Sequence, residues 1–229
     1  MDYLLHRLGR ELVSYAAGRE LQALVHSEVV AGTRPATLIA LEHEPVYTVG
    51  RRARSRERPE GSFVEPGHIP VVEVDRGGKT TWHGPGQLTV YPILRLRPPL
   101  DVIAYVRALE AAVMAFCDSL GLETMRVDGR SGVWVPPKLA PTGEQLPERK
   151  VCALGVRVAR GVTMHGIGLN ICPDLEVFSL ERIIPCGIAD AGVTSLAVET
   201  GRELSVLGLA PQLLAALEMH LQPIVAEAT

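Results

Sequence analysis

The chain has four cysteines and no CxxC pair. They stand at positions 117, 152, 172 and 186, a spacing that matches no zinc ribbon or finger. A chain of 229 residues without an evident export signal does not read as a disulfide framework, so reduced thiols in the cytoplasm are expected. The N-terminus shows no basic segment followed by an apolar core. No uninterrupted apolar run approaches the ~18 residues of a membrane span. A net charge of −3 offers no global field for nucleic acid. The glycine motifs of nucleotide binders are incomplete as well. Gly78-Lys79-Thr80 ends like a phosphate-binding P-loop, but the glycine needed five residues before Gly78 is Glu73. Gly166-Ile167-Gly168 lacks the third glycine of GxGxxG. Lysine is scarce, with three residues against twenty arginines.

What is present is an ordinary globular composition, 47% hydrophobic and 21% charged, long enough to bury a sizeable core. No repeat or long linker divides the chain, so one domain over 1–229 is expected. Tyr3 to Leu8 reads as a strand, and Glu11 to Ala31 as a helix stopped by Gly32. Ala36–Leu41, Val46–Val49 and Ile69–Val74 read as strands. A glycine-rich loop follows, then a strand over Leu88–Leu94. Asp101 to Leu120 is the clearest helix, with Asp101 as its cap and Gly121 as its stop. Leu122–Val127 and Gly132–Val135 read as strands, and 136–148 as a Pro-rich mobile loop. Val151–Val158 and Val162–Ile171 form a hairpin across Ala159-Arg160-Gly161. Ser205–Leu221 is helical, with Gly208 and Pro211 marking an irregular start. Regular βαβ alternation is missing, which disfavours a Rossmann sheet. The expected fold is α/β of the α+β kind: a mixed, mainly antiparallel sheet flanked by helices.

Few residues are placed to do chemistry. Cys117 falls on the apolar face of a helix, Cys152 inside a strand and Cys172 at a strand end. Cys186 sits between Pro185 and Gly187 in a constrained turn, where a thiol is either a nucleophile or a buried small hydrophobe. A cysteine nucleophile acts as its thiolate and needs a cation or base nearby. His83 and His165 both have glycine-rich surroundings, and each reads as a base, a hydrogen-bonding prop or a core residue. Lys150 is the sharper candidate. An arginine-biased chain keeps a lysine there, and lysine can release a proton in a protein where arginine cannot. The run Arg51, Arg52, Arg54, Arg56 and Arg58 is either a solvated loop or a local patch that steers acidic partners.

Six segments join these residues into one pattern: EHEPVYTVG (42–50), DRGGKTTWHGPGQL (75–88), GRSGVW (129–134), RKVCALGVRV (149–158), HGIGLN (165–170) and PCGIADAGVTSL (185–196). In that order they resemble the lipoyl(octanoyl) transferase family over roughly residues 40 to 200, and RGG-x-x-T-x-HGPGQ is highly specific to it. The chain departs from the pattern in its long Pro-rich loop before Lys150. The resemblance implies the fold of lipoate ligases and biotin protein ligases. It implies Cys186 as acyl-accepting nucleophile and Lys150 as its partner. It implies that three segments line the acyl site: Arg76, Gly77, Gly78, Lys79, Thr80, Thr81, Trp82 and His83; Ala153, Leu154 and Gly155; and Gly166, Ile167 and Gly168.

The implied activity moves an octanoyl group from octanoyl-acyl carrier protein to the target lysine of lipoyl domains, in 2-oxoacid dehydrogenases and the glycine cleavage H protein. Neither metal nor ATP is expected, because the thioester is already activated; nothing in the chain requires more than a monomer. An uncharged eight-carbon chain calls for an apolar tunnel, which glycines let the backbone line closely. Backbone N–H groups of the glycine loop, or of Ala153-Leu154-Gly155, are the expected oxyanion donors. Three rivals remain: an ATP-dependent lipoate or biotin ligase, a non-catalytic acyl-binding protein, and a cysteine hydrolase.

Overall fold

The computed structural model describes residues 1–55, 58–59, 61–139, 143, 145–179 and 191–226. Its elements run β1 (Asp2–Leu5), α1 (Tyr15–Ala31), β2 (Thr37–Leu41), β3 (Val46–Val49), β4 (Phe63–Val64), β5 (Ile69–Glu73), β6 (Thr80–His83), β7 (Gln87–Ile93), α2 (Val102–Ser119), β8 (Met125–Val127), β9 (Arg130–Val135), β10 (Lys138–Leu139), β11 (Gln145–Leu146), β12 (Arg149–Ala159), β13 (Val162–Asn170), β14 (Gly192–Val193), α3 (Leu196–Thr200) and α4 (Val206–Leu221).

Alternation along β2 and β7 decides the layering. Leu38 and Ala40, with Leu88 and Val90, point into a core shared with α2 and α4. Ile39 and Leu41, with Tyr91 and Ile93, point to the opposite face, where Val25 and Val29 of α1 cover them. Both strands are buried at every residue, as expected of strands covered on two faces. The main sheet has the order β1-β2-β7-β13-β12-β9-β8, with β14 beside β12. Its pairings are antiparallel except β1–β2 and β12–β14. A second sheet, ordered β4-β5-β3-β6, stands beside it. The expected mixed, mainly antiparallel sheet with flanking helices is observed.

Local chemistry sets the helix ends. Ser14 accepts from Ala17 N–H at the start of α1, and Gly32 closes it at φ 76°, a conformation glycine adopts without strain. Asp101 caps α2 through Ala104 N–H. Ser205 caps α4 through Gly208 N–H, so α4 starts regularly. Gly208 and Pro211 lie within it rather than marking a distorted entry. The β12–β13 turn places Arg160 at φ 53° and Gly161 at φ 75°, the two left-handed residues of a type I′ hairpin.

Two segments differ from expectation. The glycine-rich stretch is not wholly loop, because Thr80–His83 forms β6 and pairs antiparallel with β3. The β-favouring run of two threonines and a tryptophan outweighs the flanking glycines. Within the Pro-rich segment, Lys138–Leu139 pairs with Gln145–Leu146. Lys138 Nζ also reaches Glu199 at 2.6 Å, which ties this segment to α3.

Candidate active site

A cavity of about 310 Å³ opens between the two sheets, within the size range of small-ligand sites. Its floor is the β12–β13 hairpin. Across that pair Ala153 faces Gly168 and Gly155 faces Gly166, so small residues meet on one face. The alternate pair, Leu154 and Ile167, joins the main core. The missing side chain at Gly155 seats the Arg76–Gly78 loop directly on the strand. A Cβ there would lie 2.7 Å from Arg76 Cδ and 2.8 Å from Gly77 O. Gly77 N–H donates to Val156 O at 2.9 Å, so this amide is occupied in holding the loop.

Arg76 is the clamp of that loop. Its guanidinium donates to Thr48 O and Oγ1 at 3.1 and 2.6 Å, and to Gly77 O and Lys79 O, each at 3.0 Å. The second sheet supplies the roof. Period-2 alternation along β6 turns Thr81 and His83 to the cavity. Trp82 goes the other way, packing edge-on against Phe178 with ring centroids 5.5 Å apart. Thr80, on the same strand face as Trp82, is buried outside the cavity lining. Gly78, Lys79, Ala153, Leu154, Gly155, Gly166, Ile167 and Gly168 all contribute to the wall.

The inner wall is aromatic: Tyr15, His83 and Tyr91 line it, and His43 packs against all three. Tyr15, His43, His83 and Tyr91 form a ring cluster with centroids 5.3 to 6.2 Å apart. His43 Nδ1 lies 2.8 Å from Val13 O, and Nε2 lies 2.6 Å from Tyr91 Oη. A carbonyl can only accept, so Nδ1 carries the proton and Nε2 accepts from the tyrosine. Burial pushes the His43 pKa down to about 4. Gln87 donates its amide to Trp82 O and Asn170 Oδ1. Its Oε1 therefore accepts from His83 Nδ1, 2.7 Å away. Burial first, then the neighbouring His43 and Arg76, pushes His83 well below the usual histidine range. Both rings are thus neutral and present hydrocarbon faces.

His165 is set apart. It adopts φ 58°, donates its backbone N–H to Gln22 Oε1, and approaches Asp75 Oδ1 at 2.9 Å through Nε2. Burial outweighs the carboxylate and lowers its pKa. Burial alone would raise the Asp75 pKa, but His165 and Arg157 outweigh it and hold the carboxyl below its ordinary range.

At the other end stands Lys150. It is almost fully buried, with Nζ 4.5 Å from the Trp134 ring centroid and donating to Ser131 O at 3.1 Å. The β9–β12 register slips between Lys150 and Cys152, a bulge of the sort that re-aims side chains next to active sites. Val193 pairs with Lys150 across β14, and Thr194 N–H donates to Lys150 O at 2.9 Å. Cys186 lies outside the described residues, as does Arg56. Cys117 is buried on α2 with its thiol pushed up to about 12 by burial, Cys152 is buried in β12, and Cys172 is exposed. Among the described residues, no three His, Cys, Asp or Glu side chains gather as a metal site, and no helix is long and apolar enough to cross a membrane.

Tyr15, Tyr91, Arg52 and the 129–131 turn also line the cavity and were not singled out from sequence as cavity residues. The tyrosines carry no local signal, since each is an ordinary core residue of its own element.

Comparison with known proteins gives the family of the chain. A family model described as the lipoyl protein ligase A/B catalytic domain matches residues 14–218. The octanoyltransferase of Thermobifida fusca (strain YX) is 51% identical over 220 residues, covering 96% of this chain and 88% of that one. The chain belongs to the octanoyltransferase family. A second octanoyltransferase, from Mycobacterium leprae (strain TN), is 53% identical over 194 residues, 85% of this chain and 78% of that one. Among solved structures, a bi-partite lipoate protein ligase from Thermoplasma acidophilum superposes with a TM-score of 0.66 at 16% identity, over 96% of this chain and 83% of that chain. A lipoate-protein ligase A bound with ATP gives 0.64 at 15% identity, over 96% and 85%. The octanoyltransferase family therefore shares its fold with the ligases, and sequence, not fold, separates the two.

The seating of the glycine loop is directly testable. Gly155→Ala should lower stability by about 1–3 kcal/mol, because the new methyl meets the Gly77 carbonyl and an Arg76 side chain held by four hydrogen bonds. Faster hydrogen exchange at Gly77 N–H, measured beside the urea midpoint, would show the loop leaving β12. Unchanged exchange would count against this seating.

Proposed function

We propose that the chain is a single catalytic domain that takes octanoyl from the thioester of octanoyl-acyl carrier protein onto Cys186 and passes it to the target lysine of a lipoyl domain, with Lys150 moving the protons. Octanoyl transfer in protein lipoylation, an acyltransferase reaction, follows from family membership. The observation that carries the finer reading is Lys150 itself. It is one of three lysines, buried at the end of an acyl-sized cavity. The chain leaving the Cys186 segment is hydrogen-bonded to its strand at Lys150, and Phe178, just before that segment, shares a small cleft with Lys150.

The chemistry balances without an external acid, base, metal or ATP. The Cys186 thiolate attacks the carbonyl carbon, a new C–S bond forms, and the carrier's C–S bond breaks. The leaving thiolate takes a proton from the Lys150 ammonium. In the second half, the acceptor amine attacks the acyl-enzyme, a C–N bond forms, and the bond to Cys186 breaks. Neutral Lys150 takes the amine's proton and is an ammonium again. Leu154, on the same strand side as the loop-bound Val156 carbonyl, is the backbone N–H best placed to serve as oxyanion donor.

Incubation of the pure protein with octanoyl-acyl carrier protein, without ATP, should add one octanoyl group to the intact mass. Cys186→Ala should abolish the adduct, and an added lipoyl domain should discharge it. Transfer that appears only with free octanoate and ATP would instead make the chain a ligase.

A further inference from the structure

We infer that Glu110 is a positioning residue for Lys150, acting through a single peptide unit, the one joining Ser131 to Gly132. The inference rests on the proposed proton-transfer role of Lys150. Glu110 lies on α2, is 1% exposed and does not line the acyl cavity. Its Oε2 accepts from Arg107 Nη1 at 2.8 Å and Arg126 Nε at 3.0 Å. Its Oε1 accepts from Gly132 N–H at 3.1 Å. The carbonyl of that same peptide, Ser131 O, accepts from Lys150 Nζ at 3.1 Å. A carboxylate therefore stands at the N–H end of the peptide dipole and the lysine amine at its C=O end. Each end favours the orientation that the other requires, because a peptide unit carries a dipole of about 3.5 D.

The local backbone is built around this arrangement. Gly132 has φ 129°, a region open to glycine and strained for other residues. A Cβ there would lie 2.7 Å from Cys152 O and 3.1 Å from Lys150 Cε. Gly132 thus sits hard against β12. A buried carboxylate is not needed for stability at such a place, since apolar packing serves as well or better. Its value here is that it fixes which way one carbonyl points.

The test uses the full chain with its lysines labelled at Cε with 13C. Three lysines give three separable signals. In Glu110→Gln the Lys150 signal should move while those of Lys79 and Lys138 stay. The single-turnover rate of Cys186 acylation should fall by about tenfold to a hundredfold, the size of a small misplacement of a reacting group, with KM for the carrier unchanged. In a Lys150→Met background the same substitution should cause no further loss of rate. Glu110→Asp keeps the charge but withdraws it from Gly132, and should reproduce the signal change if the glutamine variant does not fold. Arg126→Gln should lower the melting temperature and spare the rate. A melting shift in Glu110→Gln with an unmoved Lys150 signal and an unchanged rate would reduce Glu110 to a structural ion pair and overturn the inference. If Lys150→Met transfers normally, the proton-transfer reading fails instead, and a moved Lys150 signal in Glu110→Gln would still establish the contact.

Discussion

Lys150→Met is expected to slow octanoyl transfer by about 10²- to 10⁴-fold, the range of a lost general acid–base group, while leaving the fold intact. Methionine keeps the length and volume of the buried stem and its packing on Trp134. The structural loss is one donor to Ser131 O, about 1–3 kcal/mol for an orphaned buried acceptor. Both half-reactions should suffer, since in the proposed mechanism one amine gives a proton in the first and takes one in the second. Arginine should not rescue, because it keeps its proton in proteins. The check is a rapid-quench measurement of acyl-enzyme formation and of its discharge by a lipoyl domain, with thermal melts as control. Near-normal turnover in Lys150→Arg would sink the assignment.

The second large effect concerns acid. As pH falls from 6.5 toward 4, the fold should lose about 3 kcal/mol through His43 alone, from a pKa moved from 6.5 to about 4 at 1.36 kcal/mol per unit. The sign follows from which state binds the proton. The unfolded chain takes up a proton near 6.5 and the folded one only near 4, so stability is complete above 6.5 and drains away below it. His83 is lowered as well and adds in the same direction. The groups around them do not compensate: Arg76 is cationic, and burial pushes the Tyr15 and Tyr91 hydroxyls up, so they stay neutral. Against a total stability of roughly 5–15 kcal/mol, this is a steep dependence. Thermal midpoints from pH 7.5 to 4 would measure it. His43→Phe should be less stable at neutral pH, having lost the bonds to Val13 and Tyr91, yet should show a shallower fall. Parallel curves for the two proteins would mean that the aromatic cluster is not the acid-sensitive element.

Much of this was legible from local pattern. The Asp101 cap and the Gly121 stop bracket α2 within a residue, because capping is a matter of three or four neighbouring residues. The β12–β13 hairpin followed from two apolar runs and one Arg-Gly turn. Family membership, too, was readable from RGG-x-x-T-x-HGPGQ, since a backbone that must approach another backbone leaves glycines at fixed intervals. What local pattern could not say is which way residues face once strands pair. Thr81 and Trp82 are neighbours in one motif, yet one lines the cavity and the other packs on Phe178, because pairing with β3 imposed a period of two on a segment that looked like loop.

By itself, then, the amino-acid sequence determined the fold class and the family. These are properties of composition, caps and short motifs, all set within a few residues along the chain. Only the tertiary structure decided that Tyr15, His43, His83 and Tyr91, drawn from separate parts of the chain, gather into one cluster of neutral rings. It alone placed Glu110 of a helix behind the peptide that holds Lys150. Those relations are carried by strand order and by the packing of α2 on the sheet, long-range contacts with no signature in either partner's own neighbourhood.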